Sequence, residues 1–173
     1  MFGVGLAELQ RTGSLKVKRV IPEDDPLWAD AELGLEGPVR LVLGATMTAT
    51  GQVLVTGVVE APLLRECRRC LAPVHLTLRP EVALVWTEPS ELGAESADDG
   101  EEVRILEPGA GEIDLGEAIR EELILAAPTL VVCREDCKGL CPRCGADLND
   151  GPCGCASDDR DPRWDPLRAL ERK

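Results

Sequence analysis

Aromatic side chains are scarce, making up 2% of 173 residues: Phe2, Trp28, Trp86 and Trp164, with no tyrosine. Readers of single-stranded nucleic acid stack bases on aromatic platforms, so recognition of the RRM or OB kind lacks its side chains here. The core must be built from Val, Leu, Ile and Ala, within an apolar content of 44%. Histidine is reduced to His75, on the polar side of an alternating segment, where a solvent-facing imidazole is the plain reading. No apolar run approaches the roughly 18–20 residues a membrane helix needs. Residues 1–10 lack a basic leader region and a long apolar stretch, and Glu8 interrupts what there is. A soluble, cytoplasmic protein is the expectation. No nucleophile–base arrangement, phosphate-binding loop or internal repeat is visible, so the chain is read as non-catalytic. The acids 98, 99, 101 and 102 could hold Mg²⁺, but a solvated loop is the simpler account of them.

Basic residues are also in deficit. Lys and Arg number 19 against 32 Asp and Glu, a net charge of −13. Such a chain does not bind phosphates non-specifically. The acids concentrate in residues 88–122, where thirteen face only Arg104 and Arg120. Residues 1–20 and 63–80 each carry +3, the latter through Arg65, Arg68, Arg69 and Arg79. Those four arginines are candidate RNA contacts, and the acidic stretch could engage a basic partner.

What the chain does have is cysteine, eight in all and each in a short cluster: Cys67-x2-Cys70, then Cys133-x3-Cys137-x3-Cys141-x2-Cys144-x8-Cys153-x-Cys155. Eight thiolates suffice for two four-cysteine zinc sites, and all eight are assigned here as candidate metal ligands. In the segment Cys141-Pro-Arg-Cys-Gly145 the proline fixes φ after the first ligand. The glycine accepts a positive φ after the second, as a zinc knuckle requires. Disulfides need an oxidising compartment that nothing in the N-terminus points to. A redox pair belongs at a helix start after a buried strand, whereas Cys67 and Cys70 lie between two strand-like segments. Catalytic zinc would keep an open position and a nearby base, so two structural ions are expected, each site adding about −2. Two groupings are open. One joins Cys67 and Cys70 to Cys133 and Cys137, leaving Cys141, Cys144, Cys153 and Cys155 together. The other puts Cys133, Cys137, Cys141 and Cys144 on one ion. The first is preferred because each site then holds one two-residue knuckle.

Alternation predicts an edge strand near residues 15–19, a hairpin of 39–49 and 52–60 turning at Thr50-Gly51, and a strand over 74–86. In that last strand Val74, Leu76, Leu78, Val82, Leu84 and Trp86 face one way, and Pro80 marks an edge position or a bulge. Trp28 is expected on the core. A short strand at 103–106 precedes a helix over 114–127, with Asp114 and Glu117 approximating a capping box. Residues 165–172 could add a final helical turn. The fold class expected is α+β: an antiparallel β meander with one main helix and a cysteine-rich zinc-knuckle module at the C-terminus. Residues 1–130 form the mainly antiparallel domain, with an acidic loop at 88–102. Residues 131–173 form a zinc-binding tail packed on the first knuckle at 67–70.

The sequence resembles the large ribosomal RNA subunit accumulation protein family, also called the YceD family. The resemblance rests on Cys67-Arg-Arg-Cys70-Leu, Glu112-Ile-Asp-Leu115, Glu121-Glu-Leu-Ile-Leu-Ala-Ala-Pro128 and Cys137-Lys-Gly-Leu-Cys-Pro-Arg-Cys-Gly-Ala-Asp-Leu-Asn149. The closing Asp161-Pro-Arg-Trp-Asp-Pro-Leu167 also fits. It spans roughly residues 50–170, and the ordered set is far more specific than any one motif. The resemblance implies a cytoplasmic factor in ribosome biogenesis that supports accumulation of large-subunit (23S) ribosomal RNA. It would act by binding a ribosomal protein of the large subunit, the rRNA precursor, or both, with no membrane or small-molecule substrate. It assigns no catalytic residues. The alternative is a zinc-ribbon nucleic-acid-binding regulator, favoured by the knuckles and disfavoured by the net charge and the missing aromatics.

Overall fold

The computed structural model describes residues 2–88 and 103–155. The chain enters as strand β1 (Gly3–Gly5), helix α1 (Leu6–Thr12) and strand β2 (Ser14–Ile21). A 3-10 turn at Pro26–Trp28 follows, then β3 (Val39–Met47) and the long β4 (Val53–Glu66). After the first cysteine pair come β5 (Pro73–Leu78), β6 (Glu81–Thr87), β7 (Val103–Ile105), β8 (Glu112–Asp114) and helix α2 (Gly116–Ala126). The main sheet has the order β2-β3-β4-β6-β7, with β5 also paired to β4, and β1 and β8 form a separate two-stranded sheet. The architecture is α+β with mostly antiparallel strands, as the patterning predicts.

Alternation decides which face is buried. Leu41, Leu43 and Ala45 of β3, Val53, Val55 and Val59 of β4, and Val82, Leu84 and Trp86 of β6 all point into one apolar cluster. Leu9 of α1, and Leu115, Ala118, Ile119 and Leu123 at the start and along α2, close over that face. Each fully buried Leu or Ile contributes about 1.5–3 kcal/mol. Trp28 joins the same cluster, and its indole N–H donates to the carbonyl of Pro22 at 2.9 Å. On the opposite face of the sheet Val42 and Val58 lie opposite one another and exposed.

Four features differ from the sequence expectation. The segment 74–86 is two strands rather than one, because Pro80 has no N–H to donate. It is not a bulge: Ala61 faces Leu78 and Val58 faces Glu81, with two residues between them on each strand, so the register carries through. The carbonyl of Pro80 still accepts from the N–H of Val59 at 3.2 Å. Second, β7 runs parallel to β6, so the sheet is not a pure meander. Third, the helix spans Gly116–Ala126 and its first turn has no capping box. Asp114 Oδ1 accepts from the Gly116 N–H at 2.8 Å, while Glu117 turns to Arg120 instead. Fourth, residues 3–12, assigned no element from the sequence, form a strand and a helix, with Val4 opposite Ile113. Residues 89–102 of the acidic loop and the closing segment 156–173, including the final helical turn, lie outside the described residues.

Candidate metal centres

Two tight turns built to one plan hold the paired cysteines. In the first, which links β4 to β5, the Cys67 N–H donates to the Ala72 carbonyl at 2.8 Å and the Leu71 N–H to the Cys67 carbonyl at 2.9 Å. In the second, Cys141 N–H donates to Ala146 at 2.8 Å and Gly145 N–H to Cys141 at 2.9 Å. The residue after each second cysteine is left-handed: Gly145 at φ 72° and Leu71 at φ 62°. The glycine was legible as a knuckle feature; the leucine takes the same conformation with a side chain, at a cost of about 1–2 kcal/mol.

The segment that follows α2 returns to the first turn. Val131 forms a parallel bridge with Cys67, and the Arg68 N–H donates to the Val131 carbonyl at 2.8 Å. Cys133 and Cys137 thereby meet Cys67 and Cys70. The Sγ atoms of Cys67 and Cys137 lie 3.9 Å apart and those of Cys70 and Cys133 3.7 Å. The second group is Cys141, Cys144, Cys153 and Cys155, and in each group the four sulfurs lie within 4.8 Å of one another. This is the first of the two groupings weighed from spacing. A sulfur tetrahedron around an ion with metal–sulfur bonds of about 2.3 Å has edges of about 3.8 Å. Disulfide sulfurs would sit at about 2.05 Å. Each tetrad can therefore hold one metal ion, with four ligands and no open position.

The electrostatics separate the sulfurs within each tetrad. Burial raises the Cys67 thiol, but hydrogen bonding from the backbone at Cys133, Cys70 and Arg69 outweighs it and brings the pKa to about 6. Backbone hydrogen bonds at Cys144 and Arg143 take Cys141 to about 6 as well. Burial pushes Cys133 up to about 12, and hydrogen bonding with Cys144, helped by burial, does the same for Cys155. Backbone amides thus favour the thiolate of the leading cysteine in each turn: those that follow it, such as the Arg69 N–H at 3.5 Å from Cys67 Sγ, and for Cys67 also the amide of Cys133. The first tetrad is the deeper one: Cys67, Cys70 and Cys137 are buried with Ala72, Val74 and Leu140 around them and Cys133 is exposed, whereas in the second only Cys141 is buried.

The profile of the family described as "Large ribosomal RNA subunit accumulation protein YceD" matches residues 55–171, from within β4 through both tetrads. The chain belongs to the YceD family. An uncharacterized protein of Mycobacterium tuberculosis is 38% identical to this YceD-family chain over 150 residues, covering 83% of the chain and 70% of the relative. A maize protein named large ribosomal RNA subunit accumulation protein YCED homolog 1, chloroplastic, is 28% identical over 162 residues, covering 72% and 55%. The Arabidopsis thaliana protein of the same name is 35% identical over 66 residues, 38% of this chain and 21% of that one. No solved structure matches. Among the described residues, no helix is long and apolar enough to cross a membrane.

In this YceD-family protein the four arginines chosen as RNA contacts have divergent surroundings. Arg69 reaches back over the tail, donating from one guanidinium nitrogen to the carbonyls of Glu135 and Cys137, both at 2.9 Å. Arg65 donates to the Glu32 carbonyl at 3.1 Å, and Arg79 pairs with Glu60 at 3.0 Å. Arg68 is exposed, with no ion pair among the described residues. Two acids of α2 are likewise engaged, Glu117 with Arg120 and Glu121 with Arg104. His75 is exposed, its Nδ1 2.6 Å from Glu36 Oε2. Spacing did not single out Asn149, whose amide lies 3.5 Å from Cys137 Sγ. Its signal in the sequence was its place as the closing residue of the Cys137–Asn149 motif, ahead of Cys153.

Proposed function

We propose that this protein is a non-catalytic binding factor in biogenesis of the large ribosomal subunit, acting in the cytoplasm to support accumulation of large-subunit ribosomal RNA. Membership of the YceD family over residues 55–171 is the observation that carries the reading. The plant relatives whose names state that role support it. The direct partner favoured is a basic protein of the large subunit, with the rRNA precursor reached in its company. A net charge of −13 repels naked phosphate and attracts a cationic chain. Within that reading the two tetrads are structural zinc sites, since all-thiolate tetrahedral donors suit zinc and reject Mg²⁺ or Ca²⁺. Arg68 is the arginine near the first turn best placed to approach RNA, because Arg65, Arg69 and Arg79 already serve the fold.

The test is affinity purification of the tagged protein from cells at low salt, with identification of the co-purifying RNA and protein. Recovery of large-subunit ribosomal proteins and precursor rRNA, declining as salt rises, is expected. Recovery of promoter DNA or messenger RNA without ribosomal components would favour the regulator instead.

A further inference from the structure

One side chain carried by the loop of the second tetrad reaches a sulfur of the first. Asn149 lies in the loop between Cys144 and Cys153, both in the second tetrad, yet its amide is spent on the first. Its Nδ2 donates to Cys137 Sγ at 3.5 Å and to Asp147 Oδ1 at 2.7 Å. Its Oδ1 accepts from the Lys138 N–H at 2.9 Å and from the Arg134 guanidinium at 2.8 Å. A carboxamide has two N–H groups and two oxygen lone pairs, so all four capacities are used. The partners also fix its orientation. A flipped amide would turn its NH₂ toward two donors and its oxygen toward a thiolate and a carboxylate.

The loop that carries Asn149 is held against the first tetrad at further points. Leu140 and Asp147 form an antiparallel bridge, and the Leu148 N–H donates to the Gly139 carbonyl at 2.9 Å. Gly139 itself packs on the first turn. A Cβ there would sit 2.9 Å from the Arg69 carbonyl oxygen, and its φ of 75° already disfavours a side chain. The Leu140 N–H donates to that same Arg69 carbonyl at 3.0 Å. The second tetrad closes the loop that aims Asn149.

We infer that Asn149 is a positioning residue that couples the two metal sites. Closing the loop on an ion at Cys141, Cys144, Cys153 and Cys155 orders Asn149 against Cys137 and so tightens binding at the first tetrad. Groups that hydrogen-bond to metal ligands commonly change affinity 10–100-fold when removed. The coupling must be reciprocal, so an ion at the first tetrad tightens the second by the same factor. This inference rests on the tetrads being metal sites.

The experiment is a titration of the full reduced chain with Zn²⁺ against a competing chelator, repeated with Co²⁺ to read each site's sulfur-to-metal charge-transfer band. Wild-type protein should take up two ions cooperatively. Asn149→Ala keeps all eight cysteines and should weaken the first tetrad roughly 10-fold or more. Its charge-transfer band should move to lower energy, because a sulfur that loses an N–H donor gives up electron density more readily; a loop loosened with the Asn149–Cys137 bond intact would not shift it. Cys144→Ser should weaken the first tetrad by a similar factor, and adding Asn149→Ala to it should cost little more. Two ions bound independently, with Asn149→Ala indistinguishable from wild type, would overturn the coupling and leave the metal sites standing. Additive losses in the double variant would also overturn it. A chain that binds no metal would overturn both.

Discussion

Leu71 and Gly145 occupy the same position in two copies of one turn, and only one of them suits it. Both have positive φ, and the Leu71 side chain is 57% exposed, so little packing compensates for the strain. Leu71→Gly should therefore raise stability by about 1 kcal/mol, the αL penalty less the entropy cost of a glycine. A higher midpoint in thermal or denaturant unfolding of the metal-loaded protein would show it; an unchanged or lower midpoint would mean that Leu71 packs usefully. The cysteines make a second residue-scale prediction. In metal-free, reduced protein, ultraviolet thiolate absorbance should show Cys67 and Cys141 ionising near pH 6, below the ordinary 9.0, with Cys133 and Cys155 protonated up to about 12. For the two depressed groups the folded form gains stability that is complete above 9.0 and lost as pH falls through about 6. For the two raised groups the gain is complete below 9.0 and lost as pH rises toward about 12. A single ionisation step near 9 would mean that the turns dissolve without the ion.

Among the elements, the β4–β5 turn and the tail depend on each other unequally. Cys67 and Cys70 sit at the end of strands held by the whole sheet, whereas residues 139–155 contain one small bridge and a few turn hydrogen bonds. Structural zinc is worth about 10–16 kcal/mol in small peptides, far more than those local bonds supply. Cys144→Ser should release amide protection in residues 139–155 while the strands keep theirs in hydrogen exchange. Cys67→Ser should in addition free the Val131 bridge and detach the segment after α2. Protection lost across β3 and β4 in the Cys144 variant would show that tail and sheet unfold as one unit. In α2, Ile119 is fully buried under the sheet, and Ile119→Ala should cost about 2–5 kcal/mol, measured by denaturant unfolding.

At the scale of the whole molecule, charge decides what approaches. Binding to naked RNA should be weak and steeply salt-dependent, and binding to a basic large-subunit ribosomal protein tighter. The acids are not equivalent in this. Glu121 pairs with the largely buried Arg104, so neutralising it would destabilise the fold as well as remove charge. Glu122→Gln alone, beside a variant with the acids of residues 91–102 neutralised, separates the helix from the loop. Reduced co-purification of ribosomal protein in either variant would locate the contact. Unchanged recovery in both, together with tight RNA binding by the isolated protein, would remove the acidic surface from the account.

The sequence alone determined what depends on short range. The Val, Leu and Ile alternation marked the inward face of β3, β4 and β6. Pro80 marked an irregular position, read as an edge or a bulge, and the spacing of eight cysteines singled out the side chains that the fold gathers into two tetrads. Each of these is a rule about a residue and its near neighbours along the chain. The tertiary structure decided what distant segments do to one another. Val4 pairs with Ile113 and β7 lies parallel to β6, and neither pairing leaves a mark in its own segment. Arg69 reads as a surface cation until the tail arrives with two carbonyls for its guanidinium. Asn149 reads as the last residue of a motif until folding brings Cys137 within reach of its amide. A local pattern states which groups need a partner; chain connectivity and packing, acting over a hundred residues, choose the partner.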